Sequence, residues 1–303
     1  MFTEEQLQII IAACAEEQLS GGEPLGQGRF NIILSKARQL HLASGDRRQV
    51  EAIGDLGQQG LICSRKRLIL PAHEAFISAL RCRSRLPAGG IGRLFADSAL
   101  FPQLAYFRHA HGQHDRAIRL LTHAFQSDVT LEEHGVNILI IHRIQLVNNL
   151  ARTMVKRGEH RKALLLNYAA MTLLECGRPS AMEGFPKPWN SGWWDVRELQ
   201  EPTLLAAMHN QIAKEYMNIY HSKSDTEDFW SDILGASHAP KSAEDSQAAM
   251  WGRLKADLSK GREREAIATA VVLLQRGAMP SHALWRSTAM EMASMISRRL
   301  TEA

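Results

Sequence analysis

Apolar side chains recur along most of this chain at spacings of three and four, the period of a helix buried on one face. Residues 3–18 open with Thr3 ahead of Glu4 and Glu5, a helix N-cap signal, and continue with helical apolar spacing. A second helix is expected over 29–43, with Ile32, Ile33, Ala37 and Leu40 on one face, and a third over 47–58 after the turn Ser44-Gly45-Asp46. Further helices are expected near 71–84, 98–111, 115–126, 131–157, 160–176, 198–221, 247–259, 262–276 and 280–300. PAGGIG at 87–92 reads as a linker. GLICSRKRLILP at 60–71 is the one stretch whose pattern also suits two short strands around a basic turn, as in a winged-helix hairpin; a loop entering a helix is the alternative.

Two segments break the pattern. Residues 177–196 (GRPSAMEGFPKPWNSGWWDV) combine prolines and glycines with Trp189, Trp193 and Trp194, and no regular helix accommodates them. Residues 222–248 are polar, with Phe229, Trp230 and Ile233 suggesting a short amphipathic turn. These breaks give a basic N-terminal helical region at 1–95, a helical core at 96–221, and a connector with C-terminal helices at 222–303. The expected fold class is all-α.

Composition agrees with that class. Aromatic residues make up only 6% of the chain, and 104–127 and 136–174 contain no proline, so long helices can run unbroken. The longest apolar runs, such as Val136–Ile141, are too short to cross a bilayer, so no membrane partner is expected. The first residues lack the basic region of a secretory signal, and Cys14, Cys63, Cys82 and Cys176 lack paired spacing. Both point to free thiols in a reducing cytoplasm. Net charge is +4, yet residues 47–93 carry nine Lys or Arg against three acids, an excess of +6. Such a basic stretch is either a solvated face or an attraction for nucleic acid.

Three turns resemble one another: HGQHDRAIRL around Gly112, RGEHRKALLL around Gly158 and KGREREAIAT around Gly261, each with Ala five residues after the glycine. SGDRRQVEAI around Gly45 fits less well. Small residues also stand seven before and twelve after Gly112 (Ala105, Ala124) and Gly158 (Ala151, Ala170); around Gly261 those places hold Leu254 and Leu273. This arrangement resembles the tetratricopeptide repeat over 99–176 and, poorly, around 247–276. The 46-residue interval from Gly112 to Gly158 departs from the family's repeat of about 34. The resemblance implies an α-solenoid of antiparallel hairpins, with small side chains where paired helices meet and glycine at positive φ in each turn. A generic array of helical hairpins is the alternative.

In such arrays the first helix of each hairpin lines a concave groove. By that register, Gln145, Asn149, Arg152 and Lys156, together with Asn148, would face a peptide or protein segment: amides for its backbone, cations for its carboxylates. Tyr106 and His109 would join from the preceding hairpin, and Trp193 and Trp194 could cap the groove or simply pack. His109, His111 and His114 (HAHGQH) raise the possibility of a metal site, but the sequence straddles a helix end, so surface histidines are expected, with no metal and no cofactor. No GxSxG, GxxxxGK[ST] or strand-borne GxGxxG occurs. The expected role is an adaptor or regulator that binds a peptide or protein segment. The alternatives are a DNA-linked regulator using 47–93 and an all-α enzyme using the histidines and the tryptophan-rich loop.

Overall fold

A computed structural model describes residues 3–17, 27–177, 202–221, 246–278 and 280–302, and among them every regular element is a helix. Twelve helices follow in order: α1 Glu4–Glu17, α2 Gln27–His41, α3 Ser44–Arg65, α4 Ile69–Ser84, α5 Ile91–Ala110, α6 His114–Glu133, α7 Leu139–Lys156, α8 His160–Cys176, α9 Pro202–His221, α10 Gln247–Ser259, α11 Glu263–Gln275 and α12 His282–Glu302. Residues 177–196, with Trp193 and Trp194, lie outside the described residues apart from Gly177, as do Phe229, Trp230 and Ile233. No helix among the described residues is long and apolar enough to cross a membrane.

Neither the hairpin strands weighed for 60–71 nor a long loop is formed. α3 continues through Arg65, and the chain reverses at Lys66–Leu68 into α4. Two features explain this. Gly60 lets the Phe76 ring of α4 rest against the α3 backbone, so a glycine that reads as a breaker is a point of close approach. Arg67 supplies the left-handed turn residue, at φ 60°, while Leu68 N–H donates to Cys63 O at 2.9 Å.

The same turn closes other helices with glycine in the left-handed place. Gly112 and Gly158 have φ of 72° and 83°. The next amides, Gln113 and Glu159, donate to Arg108 O and Met154 O at 2.9 and 3.0 Å. Gly261 (φ 69°) repeats it, with Arg262 N–H on Asp257 O at 2.8 Å. So does Gly135 (φ 89°), which splits the single helix expected over 131–157 into α6 and α7. Gly45 does not: it lies in the first turn of α3. Ala105, Ala117, Ala124, Ala151, Ala163 and Ala170 are all buried.

The chain forms two compact units, and their division falls within α8. Residue 95, an expected boundary, lies inside α5. The first unit holds α2–α7. There α3 packs on α4 and α5, α5 on α6, and α6 on α7, around Ile53, Phe76, Phe95, Leu100, Leu121, Leu131 and Ile144. Buried ion pairs lie within this unit. Arg143, with no exposed surface, donates twice to Glu132 at 2.7 Å beneath the Phe125 ring, and Arg83 pairs with buried Asp97.

The second unit contains α1 and α9–α12, with Trp251, Trp285 and Tyr216 fully buried at its centre. Trp285 Nε1–H donates to Leu274 O at 3.1 Å, satisfying its one polar group. Glu175 on α8 accepts from the backbone amides of Gln247 and Ala248 at the start of α10, and lies 2.7 Å from Nε2 of buried His209 on α9. A carboxylate at a helix N-terminus meets both the unpaired amides and the positive end of the helix dipole.

Candidate functional site

Within the α2–α7 unit, stripes from several helices enclose an open cavity of about 750 Å³. α7 contributes Gln145, Asn149, Arg152 and Thr153, at the three- and four-residue spacing that puts side chains on one face. α5 contributes Ser98, Ala99, Pro102, Gln103, Tyr106 and His109, again one stripe. α3 adds Gln58, Leu61 and Arg65, and α2 adds Leu34 and Arg38. Phe95, Ala105 and Leu121, all buried, form apolar parts of its wall.

Backbone choices shape that wall. Gly57 on α3 has no Cβ, and the Gln103 carboxamide occupies the space a Cβ would fill, at 2.1 Å from its ideal position. Pro102 sits inside α5 and has no amide hydrogen for the Ser98 carbonyl. His142 on α7 is oriented by Asp128, fully buried, whose Oδ2 lies 2.7 Å from Nδ1; Ser98 Oγ lies 3.4 Å from the same nitrogen. That leaves Nδ1 shared, so the trio lacks the serine-to-Nε2 geometry of a hydrolytic triad.

Electrostatically the cavity is one-sided. Arg38, Arg65 and Arg152 line it, and no Asp or Glu does among the described residues. Burial pushes the Arg38 guanidinium's pKa down, opposed by the Glu51 charge. Burial, then the His114 ring, then the Lys156 ammonium push His109 down as well. With an ordinary imidazole value near 6.5, a lowered His109 is neutral at pH 7 and serves as donor and acceptor.

Of the residues expected at the site, Gln145, Asn149, Arg152, Tyr106 and His109 do line one cavity. Asn148 does not: one position along α7 rotates a side chain by about 100°, and Asn148 is buried, its Oδ1 without a partner. Lys156 is not in the lining, although its charge reaches His109. Reasoning from sequence missed the α2 and α3 walls. Arg38, Gln58 and Arg65 carry no local signal of a shared site, and only tertiary packing brings them opposite α7.

The HAHGQH histidines do not converge. His111 Nδ1 lies 2.7 Å from Phe107 O and its ring sits tilted against the Phe107 ring at 4.4 Å, while the His109 and His114 ring centres stand 5.1 Å apart. Among the described residues no group of three His, Cys, Asp or Glu side chains is placed to hold a metal. Of the basic residues in 47–93, Arg65 faces the cavity, Arg83 is bound to Asp97, and Arg93 donates to Leu86 O at 3.2 Å.

No family model, curated protein or solved structure matches the chain.

Proposed function

We propose that this chain is a helical-repeat binding protein, tetratricopeptide-like in its consecutive helix pairs, that takes a peptide or protein segment in the cavity of the α2–α7 unit. One observation carries the reading: Gln58, Gln103, Gln145 and Asn149 gather carboxamides from three helices around one opening. Carboxamides give and accept hydrogen bonds together, as an extended peptide backbone requires, and apolar wall at Phe95 and Leu121 can take a side chain. The volume of about 750 Å³ falls in the range of roughly 300–1,000 Å³ that encloses compact ligands, enough for a few residues.

The test is panning of a displayed random heptapeptide library on the purified protein, followed by calorimetric titration of the selected peptides. Asn149→Ala combined with Gln145→Ala removes two hydrogen-bonding groups worth about 1 kcal/mol each, so affinity should fall roughly 30-fold. Asn148→Ala, whose side chain is not at the cavity, should leave affinity unchanged. Failure to select any peptide, or equal binding by the double variant, removes the reading.

A further inference from the structure

Several arginines of the described residues pair with carboxylates: Arg83 with Asp97, Arg143 with Glu132, Arg157 with Asp115 and Glu159, Arg262 with Asp257, and Arg299 with Glu263. Arg38 and Arg65 differ from these. Both line the cavity, and neither has an ion-pair partner among the described residues. Arg38 is partly sunk in the wall, and its Nε is buried without an acceptor. Burying that Nε–H without an acceptor opposes folding, a cost that a bound anion offsets. Arg65 is steadied at the rim, its guanidinium 5.8 Å from the centre of the Tyr106 ring.

We infer that the cavity contains a phosphoryl subsite, in which Arg38 and Arg65 grip a phosphorylated side chain of the bound segment. The inference rests on the peptide-binding reading and names the chemistry of the peptide. Charge decides between the candidate anions. Three guanidiniums line the cavity with no lining carboxylate, and Lys156 adds potential felt at His109. A carboxylate brings one charge and two acceptor oxygens. A phosphoryl group brings about −1.5 to −2 at neutral pH and three acceptor oxygens. Guanidinium forks match those oxygens two at a time.

The probes are three fluorescein-labelled degenerate heptapeptide pools, alike except for a central phosphoserine, glutamate or serine, read by fluorescence anisotropy on the full chain. Phosphoserine should bind about tenfold tighter than serine, with glutamate close to serine. Arg38→Gln and Arg65→Gln should each bring the ratio of phosphoserine to serine affinity from about tenfold to near unity, whatever the change in the serine pool alone; circular dichroism confirms that each variant is folded. The preference should decay below about pH 6, where the phosphoryl group takes up its second proton. Inorganic phosphate alone should raise the wild-type melting temperature and not that of Arg38→Gln.

Equal binding of the glutamate and phosphoserine pools overturns the inference, as does a 5′-phosphorylated oligothymidine binding better than the phosphoserine pool. Equal binding of all three pools overturns it while the peptide reading stands. A phosphate-induced shift that depends on Arg38, with no pool bound, supports the subsite and sinks the peptide reading.

Discussion

Helix α3 carries glycines at 54, 57 and 60, and their surroundings differ enough to give alanine opposite effects along one helix. A Cβ at Gly54 would meet nothing within 4 Å. Gly54→Ala therefore only removes glycine's helix penalty and should stabilise by about 1 kcal/mol. A Cβ at Gly60 would lie 2.8–2.9 Å from three atoms of the Phe76 ring. Carbon pairs prefer about 3.5–4.0 Å, so the ring must move by more than half an ångström. Phe76 is 2% exposed and its ring lies 5.5 Å, centre to centre, from that of Phe107, so it has nowhere easy to go. Overpacking costs about 1–3 kcal/mol, which outweighs the helix gain. The two variants should thus be separated by roughly 2 kcal/mol, read as opposite shifts of the urea midpoint by far-ultraviolet circular dichroism. Phe76→Leu should relieve Gly60→Ala in a double-mutant cycle, the signature of direct coupling. If Gly60→Ala stabilises as much as Gly54→Ala, the account of α3 lying against the Phe76 ring is wrong.

Other expectations concern charge and turn geometry. Arg67 occupies the left-handed region at φ 60°, which costs a side-chain-bearing residue about 1–2 kcal/mol; allowing for the freer unfolded chain, Arg67→Gly should stabilise by about 0.5–1 kcal/mol, and an unchanged urea midpoint would count against the strain. Glu132, buried beside Arg143, has its pKa raised to about 7, chiefly by burial, which outweighs the Arg143 charge. A carboxyl raised in the fold binds its proton there more tightly than in the unfolded chain. Its contribution to stability is therefore full below the ordinary value near 4.5 and is lost as pH rises towards 7. Glu132→Gln should flatten the dependence of melting temperature on pH across that window, and an unaltered slope would assign it to other groups.

Local chemistry explains which parts were legible in the sequence. Gly112, Gly158 and Gly261 announce their turns because glycine is the residue that occupies left-handed backbone at no cost, and the flanking apolar periodicity is a property of each helix alone. Gly135 did the same, but the apolar run Val136–Ile141 resumes at once beyond it, so the end of α6 read as one helix with α7. Arg67 could not be read at all, because nothing in an arginine signals positive φ. The cavity divides in the same way. Its α5 and α7 faces follow from spacing within each helix, whereas Arg38, Gln58 and Arg65 arrive through packing between helices. The Asn148 error is the smallest step a helix permits: one residue, and the side chain belongs to the core.

Glu175 tethers the first amides of α10, 72 residues further along the chain, and stands against His209 as well. Noncovalent ties of this kind outlast the peptide bonds between the elements they join. Were the backbone severed between α9 and α10, the C-terminal fragment should stay docked on its parent through native purification. The two pieces should part only when denaturant frees that carboxylate.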